Sequence, residues 1–213
     1  LEKYTDLKRN IISIIEAIYQ RLIDRRFVAI LIKNVLNDGK YFPFAWDLAK
    51  AISGCLSLKD EKIGCIEEGN NLDTATKFLR TEKEIFYCLY FRKDEISSGQ
   101  YTQGNHQFFV NNEQIITELK FEKPTPGWFI LKPQPRNKDE VLHPAKYPED
   151  LVDMFVRTFT LANQNVFDPM SGTGSTQLGA LRNGRNGYGT ELSSFFYDIA
   201  IKRCASFINP PQA

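Results

Sequence analysis

The stretch that decides the fold is NVFDPMSGTGST, residues 165–176. Asn165 to Phe167 reads as a short strand with Asp168 at its carboxyl end. Ser171-Gly172-Thr173-Gly174 reads as a tight loop, and Ser175 opens a helix with Leu178 and Leu181 turned inward. Strand, glycine loop and helix form the unit of a parallel α/β sheet, in which ligands settle outside the carboxyl ends of the strands. Gly172 and Gly174 lack a Cβ, so the backbone there can approach a ligand closely. The first turn of the following helix leaves N–H groups without intrahelical partners, which suits an anionic or carboxylate group.

Downstream, Asn183-Gly184-Arg185-Asn186-Gly187 is a turn, Tyr188-Gly189 a short strand, and Glu191 stands at its end, 23 residues past Asp168. An acid about 20 residues beyond a glycine loop is placed to accept hydrogen bonds from ribose hydroxyls. Phe195, Phe196, Ile199 and Ala200 begin a closing helix. Two cofactor classes compete for such a loop. A dinucleotide site wants a third glycine, where this chain has Gln177. Asp168 would also repel a pyrophosphate, whereas it can hold a cationic amino group. S-adenosylmethionine carries such a group and a ribose for Glu191. A dehydrogenase is therefore disfavoured.

Upstream of the loop, Pro148 is expected at a first helical position, with Glu149 and Asp150 in the first turn, where acids suit the helix dipole. Leu151, Val152, Phe155 and Phe159 are the expected buried stripe. At the start of the chain, residues 3–24 carry Ile11, Ile14, Ile15, Ile18 and Leu22 at helical spacing. Phe27–Ile32 (FVAILI) is a continuous apolar run and reads as a buried strand of a parallel sheet. Asn37-Asp38-Gly39 is a turn, Phe44–Ile52 a helix, and Lys62–Ile66 and Glu84–Phe91 further strands. The alternation of helix and strand predicts an α/β fold. Between Arg92 and Leu142 the texture changes to Gly, Asn, Gln and Pro, with aromatic residues interleaved with lysines, a composition that suits nucleic acid. Lys120, Lys123, Lys132 and Arg136 are the candidate phosphate contacts. Trp46 and Trp128 are expected in the core.

Composition bounds the answer. A chain of 213 residues, 42% hydrophobic and with net charge +1, is globular and carries no strongly basic arm or polyacidic tail. It has no apolar run of the roughly 20 residues that a membrane span needs, and residues 1–10 are too polar for a signal peptide. Cys55, Cys65, Cys88 and Cys204 are scattered, so no metal site is expected, and buried thiols in a reducing cytosol are.

Three segments together carry a family resemblance: HPAKYPEDLV (143–152), VFDPMSGTGST (166–176) and GRNGYGTELSSFFYDIAIKR (184–203). They resemble the closing block of the amino-methylating DNA methyltransferases of the β order. In that family an HPxxxP segment precedes a DPFxGSGT cofactor loop, a G-x-E strand and a Y-x-x-x-A-x-x-R helix. Met170 stands where the family has Phe and keeps an apolar contact. NVLNDGKYFPFAWDLA (34–49) and LKDEKIG (58–64) are similar more loosely to the segments that follow the family's catalytic strand. The resemblance implies an S-adenosylmethionine-dependent methyltransferase with a mainly parallel sheet of the seven-stranded type. Its halves would be residues 1–93 on the substrate side and 143–213 on the cofactor side, with 94–142 a target-recognition insertion.

The cofactor set it implies is His143, Ala145, Asp168, Pro169, Met170, Ser171, Gly172, Gly174, Ser175, Thr176, Glu191 and Leu192. The implied activity is methylation of adenine N6 or cytosine N4 in double-stranded DNA. The implied setting is cytoplasmic, with a second copy of the chain or a restriction subunit as partner. The family's (D/S/N)PP(Y/F/W) tetrapeptide is not found. The only Pro-Pro pair, Pro210-Pro211, lacks the aromatic residue and reads as a helix stop. The tetrapeptide is expected just before Leu1, or lost, so catalytic residues stay unassigned. The alternatives are a non-catalytic cofactor- or DNA-binding subunit, and a methyltransferase acting on RNA or a small molecule.

Overall fold

A computed structural model of the chain describes residues 2–37, 40–66, 84–94, 127–131 and 148–208. They fall into two compact units, the first made of the described residues up to 94 together with 127–131, the second of 148–208.

The first unit holds helices α1 (Glu2–Arg21) and α2 (Phe44–Ile52) and strands β1 (Phe27–Ile32), β2 (Val35–Asn37), β3 (Lys40–Phe42), β4 (Ser57–Ile66), β5 (Glu84–Arg92) and β6 (Trp128–Leu131). β2 and β3 form a hairpin. The others make one sheet in the order β1-β5-β4-β6. Val28, Ile30 and Ile32 face Phe91, Leu89 and Tyr87 across the β1–β5 pair, and this alternate set points to one face. There Leu89 and Phe91 pack with Ile15 of α1 and Leu48, Ala49 and Ile52 of α2. Burial of this set supplies the unit's main driving force.

The α/β class expected from the sequence is present, and two details of it differ. β1 runs antiparallel to β5, and β4 antiparallel to β5; only β4–β6 is a parallel pair in this sheet. A continuous apolar run reports that both faces are covered, not which way the neighbour runs. β1 is also half-buried with Ala29 exposed, because it lies at the end of the strand order. The interior strands are β5 and β4, and Phe86, Cys88, Leu89, Tyr90 and Phe91 of β5 are all buried. The fourth strand, β6, comes from inside the segment read as an insertion.

Trp46 and Trp128 are not core residues: they are 44% and 66% exposed. Trp128 sits on the outermost strand of the order, and Trp46 meets Tyr87 edge-on at 6.0 Å. All four cysteines are free thiols, but only Cys88 is buried. Burial pushes its thiol up to about 12, against the opposing pull of Tyr90 and Lys62.

Two charged side chains join the elements. Lys93, 5% exposed, donates from Nζ to the carbonyls of Tyr19 and Leu22, both at 2.8 Å, at the carboxyl end of α1. A cation suits that end of the helix dipole. Asp94 accepts from Lys59 at 2.5 Å and Arg92 at 2.7 Å and lies 3.4 Å from Arg25. Burial alone would raise the Asp94 carboxyl, but hydrogen bonds from Lys59, Arg92 and Ser57 overcome it and bring it down to about 2. A carboxyl depressed on folding contributes stability above its unfolded value near 3.8, and loses that contribution as pH falls through the folded value. Melting temperature is therefore expected to drop between pH 4 and about pH 2, and to drop less in Asp94→Asn.

The second unit holds α3 (Glu149–Phe159), β7 (Asn165–Asp168), α4 (Ser175–Arg182), β8 (Asn186–Gly189) and α5 (Ser194–Ile208). β7 and β8 run parallel, with Asp168 opposite Gly189. The buried stripe of α3 is Leu151, Val152 and Val156, with Phe155 and Phe159 only half-buried. Val156, four residues past Val152, takes the inward place expected for Phe155. α3 and α4 approach closely because Gly179 has no side chain: a Cβ there would lie 2.6 Å from Val152 Cγ1. Arg182 of α4 pairs with Glu149 at 2.6 Å and Asp153 at 3.2 Å. Arg203 of α5 also pairs with Glu149. Among the described residues no helix is long and apolar enough to cross a membrane.

Candidate functional site

The site is the loop between β7 and α4 together with the residue after β8. Gly172 and Gly174 take φ of +53° and +79°, a region that L side chains enter only at a cost. That turn carries the chain from the strand end into the helix within six residues, Pro169 to Gly174.

Asp168 organises the turn. Its Oδ1 accepts from the Met170 N–H at 2.9 Å and its Oδ2 from the Thr176 hydroxyl at 2.6 Å. Thr190, following β8, donates from its N–H to the Asp168 carbonyl at 3.0 Å and from its hydroxyl to the Pro169 carbonyl at 2.7 Å. The Ser171 N–H returns to the Thr190 carbonyl at 2.9 Å. Glu191 closes the ring: Oε2 accepts from the Gly172 N–H at 2.8 Å and Oε1 from the Ser193 N–H at 2.9 Å. These bonds orient both carboxylates.

Most of the expected cofactor set is thereby brought together. Asp168, Pro169, Ser171, Gly172, Gly174, Thr176 and Glu191 share one hydrogen-bonded ring. Ser175 is buried at the start of α4; Met170 joins the ring through its N–H with its side chain exposed, and Leu192 is exposed just past Glu191. His143 and Ala145 lie outside the described residues, as do Lys120, Lys123, Lys132 and Arg136.

The roles of four residues were not read from the sequence. Arg203 donates to the Thr173 carbonyl at 2.6 Å and so fastens α5 to the back of the loop. Gln177 donates to Ser171 Oγ at 3.0 Å and to the Tyr188 carbonyl at 2.9 Å. Gly187 and Gly189 let β8 lie against α4: a Cβ at Gly187 would stand 2.8 Å from Gln177 Cα. Alternate glycines in a strand mark a close backbone approach, and that signal was present in Asn186–Gly189 (NGYG). In a dinucleotide site the third glycine of the loop lets helix and strand come close. Here the strand supplies that room, and the helix keeps a side chain.

The acceptor set tells what the site fits. Two carboxylates at the ends of adjacent parallel strands flank a tight turn whose glycines take positive φ. Such a set accepts hydrogen bonds from a ligand's ammonium and hydroxyl groups, and opposes a pyrophosphate. Among the described residues no group of His, Cys, Asp and Glu could hold a metal ion.

Fold and site together define an α/β protein with an acid-flanked glycine loop of the cofactor-binding kind. The chain belongs to the N6/N4 DNA methylase family, which matches residues 4–202. It is 32% identical over 130 residues to the type II methyltransferase M.BglII of Bacillus subtilis, covering 61% of this chain and 35% of that protein. It is 34% identical over 99 residues to M.HindIII of Haemophilus influenzae, covering 46% of this chain and 32% of that protein. The chain thus spans about a third of the length of these two relatives. Among solved structures, the cytosine-N4-specific PvuII DNA methyltransferase aligns over 99% of this chain and 73% of its own, with TM-score 0.74 and 13% identity. A DNA modification methylase of Thermus thermophilus, complexed with S-adenosyl-L-methionine and described as putative, aligns over 98% and 81%, with TM-score 0.70 and 20% identity. The chain shares their fold.

Proposed function

We propose that the protein carrying this chain transfers a methyl group from S-adenosylmethionine to the exocyclic amino group of adenine (N6) or cytosine (N4) in double-stranded DNA. The observation that carries the proposal is the pairing of Asp168 and Glu191 at the ends of β7 and β8, around a tight turn in which Gly172 and Gly174 take positive φ. Family membership over residues 4–202, and the type II methyltransferases among the relatives, support DNA as the substrate.

Bound here, the cofactor supplies an electrophilic methyl group on a sulfonium. Glu191 would accept from the ribose hydroxyls, and the Asp168 carboxylate would be the counter-charge to the cationic amino group. Met170 and Leu192 give apolar contact beside the loop, and His143 and Ala145 help to shape the pocket wall. Methyl transfer to an amine is an in-line displacement, so these residues act by positioning. Both amines pose the same chemical problem, and the cofactor side treats them alike. Lys120, Lys123, Lys132 and Arg136 contact DNA phosphates, which makes binding weaken with salt. The setting is cytoplasmic, beside a restriction enzyme or with a second copy of the chain.

The test is transfer of tritium from methyl-labelled S-adenosylmethionine to duplex DNA, followed by digestion to nucleosides. Label in N6-methyladenine or N4-methylcytosine supports the proposal. Label in RNA or a small molecule, with none in DNA, overturns it.

A further inference from the structure

Gln177 lies in the first turn of α4 and is only 9% exposed. A primary amide buried to that degree is costly unless its N–H and C=O groups find partners. Here the two ends of the amide are treated differently. Nε2 donates twice, to Ser171 Oγ and to the Tyr188 carbonyl, while Oε1 meets no donor among the described residues. The orientation follows from the acceptors, because a backbone carbonyl can only accept and the NH2 must face it. An apolar side chain of similar volume would remove the cost of the unmatched oxygen, but it would lose both donors. β8 is shaped to admit the amide: a Cβ at Gly189 would stand 2.1 Å from Nε2 and 2.0 Å from Ser171 Oγ. Ser171, the far end of this link, sits in the loop itself. It donates from Oγ to the Asp168 carbonyl at 3.1 Å and from its N–H to the Thr190 carbonyl at 2.9 Å.

We infer that Gln177 is a positioning residue for cofactor binding: its two N–H bonds clamp Ser171 to β8, and so hold the neighbouring Gly172 N–H against Glu191 in the arrangement that receives the ligand. The inference rests on the function proposed above. Gln177 acts through Ser171 rather than by touching the ligand. Its effect is therefore expected in affinity, and in coupling to Ser171.

The experiment is calorimetric titration of S-adenosylmethionine into the wild-type chain, Gln177→Met, Ser171→Ala and the double variant, each checked for folding by its melting curve. Each single change is expected to raise Kd about tenfold, the worth of one hydrogen bond. The double variant is expected to stay near tenfold, because both changes remove the Gln177–Ser171 bond on which the clamp depends. A purely structural role would lower melting temperature and leave Kd and its coupling alone. Unchanged affinity in folded Gln177→Met overturns the inference, as does an additive loss of about 100-fold in the double variant. If Gln177→Met does not fold, Gln177→Asn, whose amide falls one methylene short of Ser171, takes its place: a tenfold loss supports the clamp and an unchanged Kd overturns it. A folded wild type that binds no cofactor overturns the proposed function and this inference with it. A binding wild type with unaffected variants overturns this inference alone.

Discussion

Replacing Asp168 by alanine raises the Kd for S-adenosylmethionine at least about 100-fold, the equivalent of ~3 kcal/mol for a charge-assisted contact and the turn it organises. Two effects combine. The ligand's ammonium loses its counter-charge, and the Met170 N–H and Thr176 hydroxyl lose the acceptors that shape the loop. Asp168→Asn separates them. The amide oxygen can still accept from Met170 and the fold stays intact, but the charge is gone. Calorimetry on both variants is the check. Weak binding by both assigns the larger share to charge. Full binding by Asp168→Asn would mean that the acid serves only the turn.

Gly174→Val is expected to be the most damaging single change to stability in the second unit. Two costs add. At φ of +79° an L residue carries roughly 1–2 kcal/mol of strain. A Cβ would also stand 2.8 Å from Ala200 Cβ and 3.1 Å from its Cα, and overpacking of that kind costs about 1–3 kcal/mol more. The sum is about 3 kcal/mol, read as a lower urea midpoint at unchanged slope. Gly184 is the internal control. Its φ is +71°, yet nothing lies within 4 Å of its would-be Cβ. Gly184→Asn is expected to cost well under half as much, because Asn tolerates this conformation. Equal losses at the two positions would show that conformation alone decides, and that the contact with α5 is unimportant.

The parts of this molecule that could be read from its sequence are those written in neighbouring residues. Helix α2 is predicted to the residue at Phe44–Ile52, since its apolar spacing and the preceding Pro43 are local. The β7–loop–α4 turn is legible for the same reason: an acid, a proline and two glycines within seven residues, Asp168 to Gly174, admit few backbone paths. The direction of β1 was not legible. It depends on β5, whose pairing residue Arg92 lies 65 positions beyond Phe27. The exposure of Trp128 depends on the place of β6 at the end of the strand order, which no local pattern states. In the sequence Gln177 marks only the missing third glycine of a dinucleotide loop. Its burial is decided by Gly187 and Gly189, ten and twelve positions further on. Lys93 is similar: a lysine after an aromatic strand looks solvated, and becomes buried only because the end of α1 brings two carbonyls to it. In the candidate site, both acids and the loop were visible in advance, whereas the hydrogen bond from Gly172 to Glu191 was not, because it spans 19 residues.

The measurement that tests the central claim most directly is a calorimetric titration of S-adenosylmethionine into this chain, with NAD as the comparison ligand. One saturable site for S-adenosylmethionine, competed by S-adenosylhomocysteine and silent to NAD, is the predicted result. A folded chain that gives no binding heat with S-adenosylmethionine, or that binds NAD in its place, would contradict the assignment of the acid-flanked loop as a methyl-donor site.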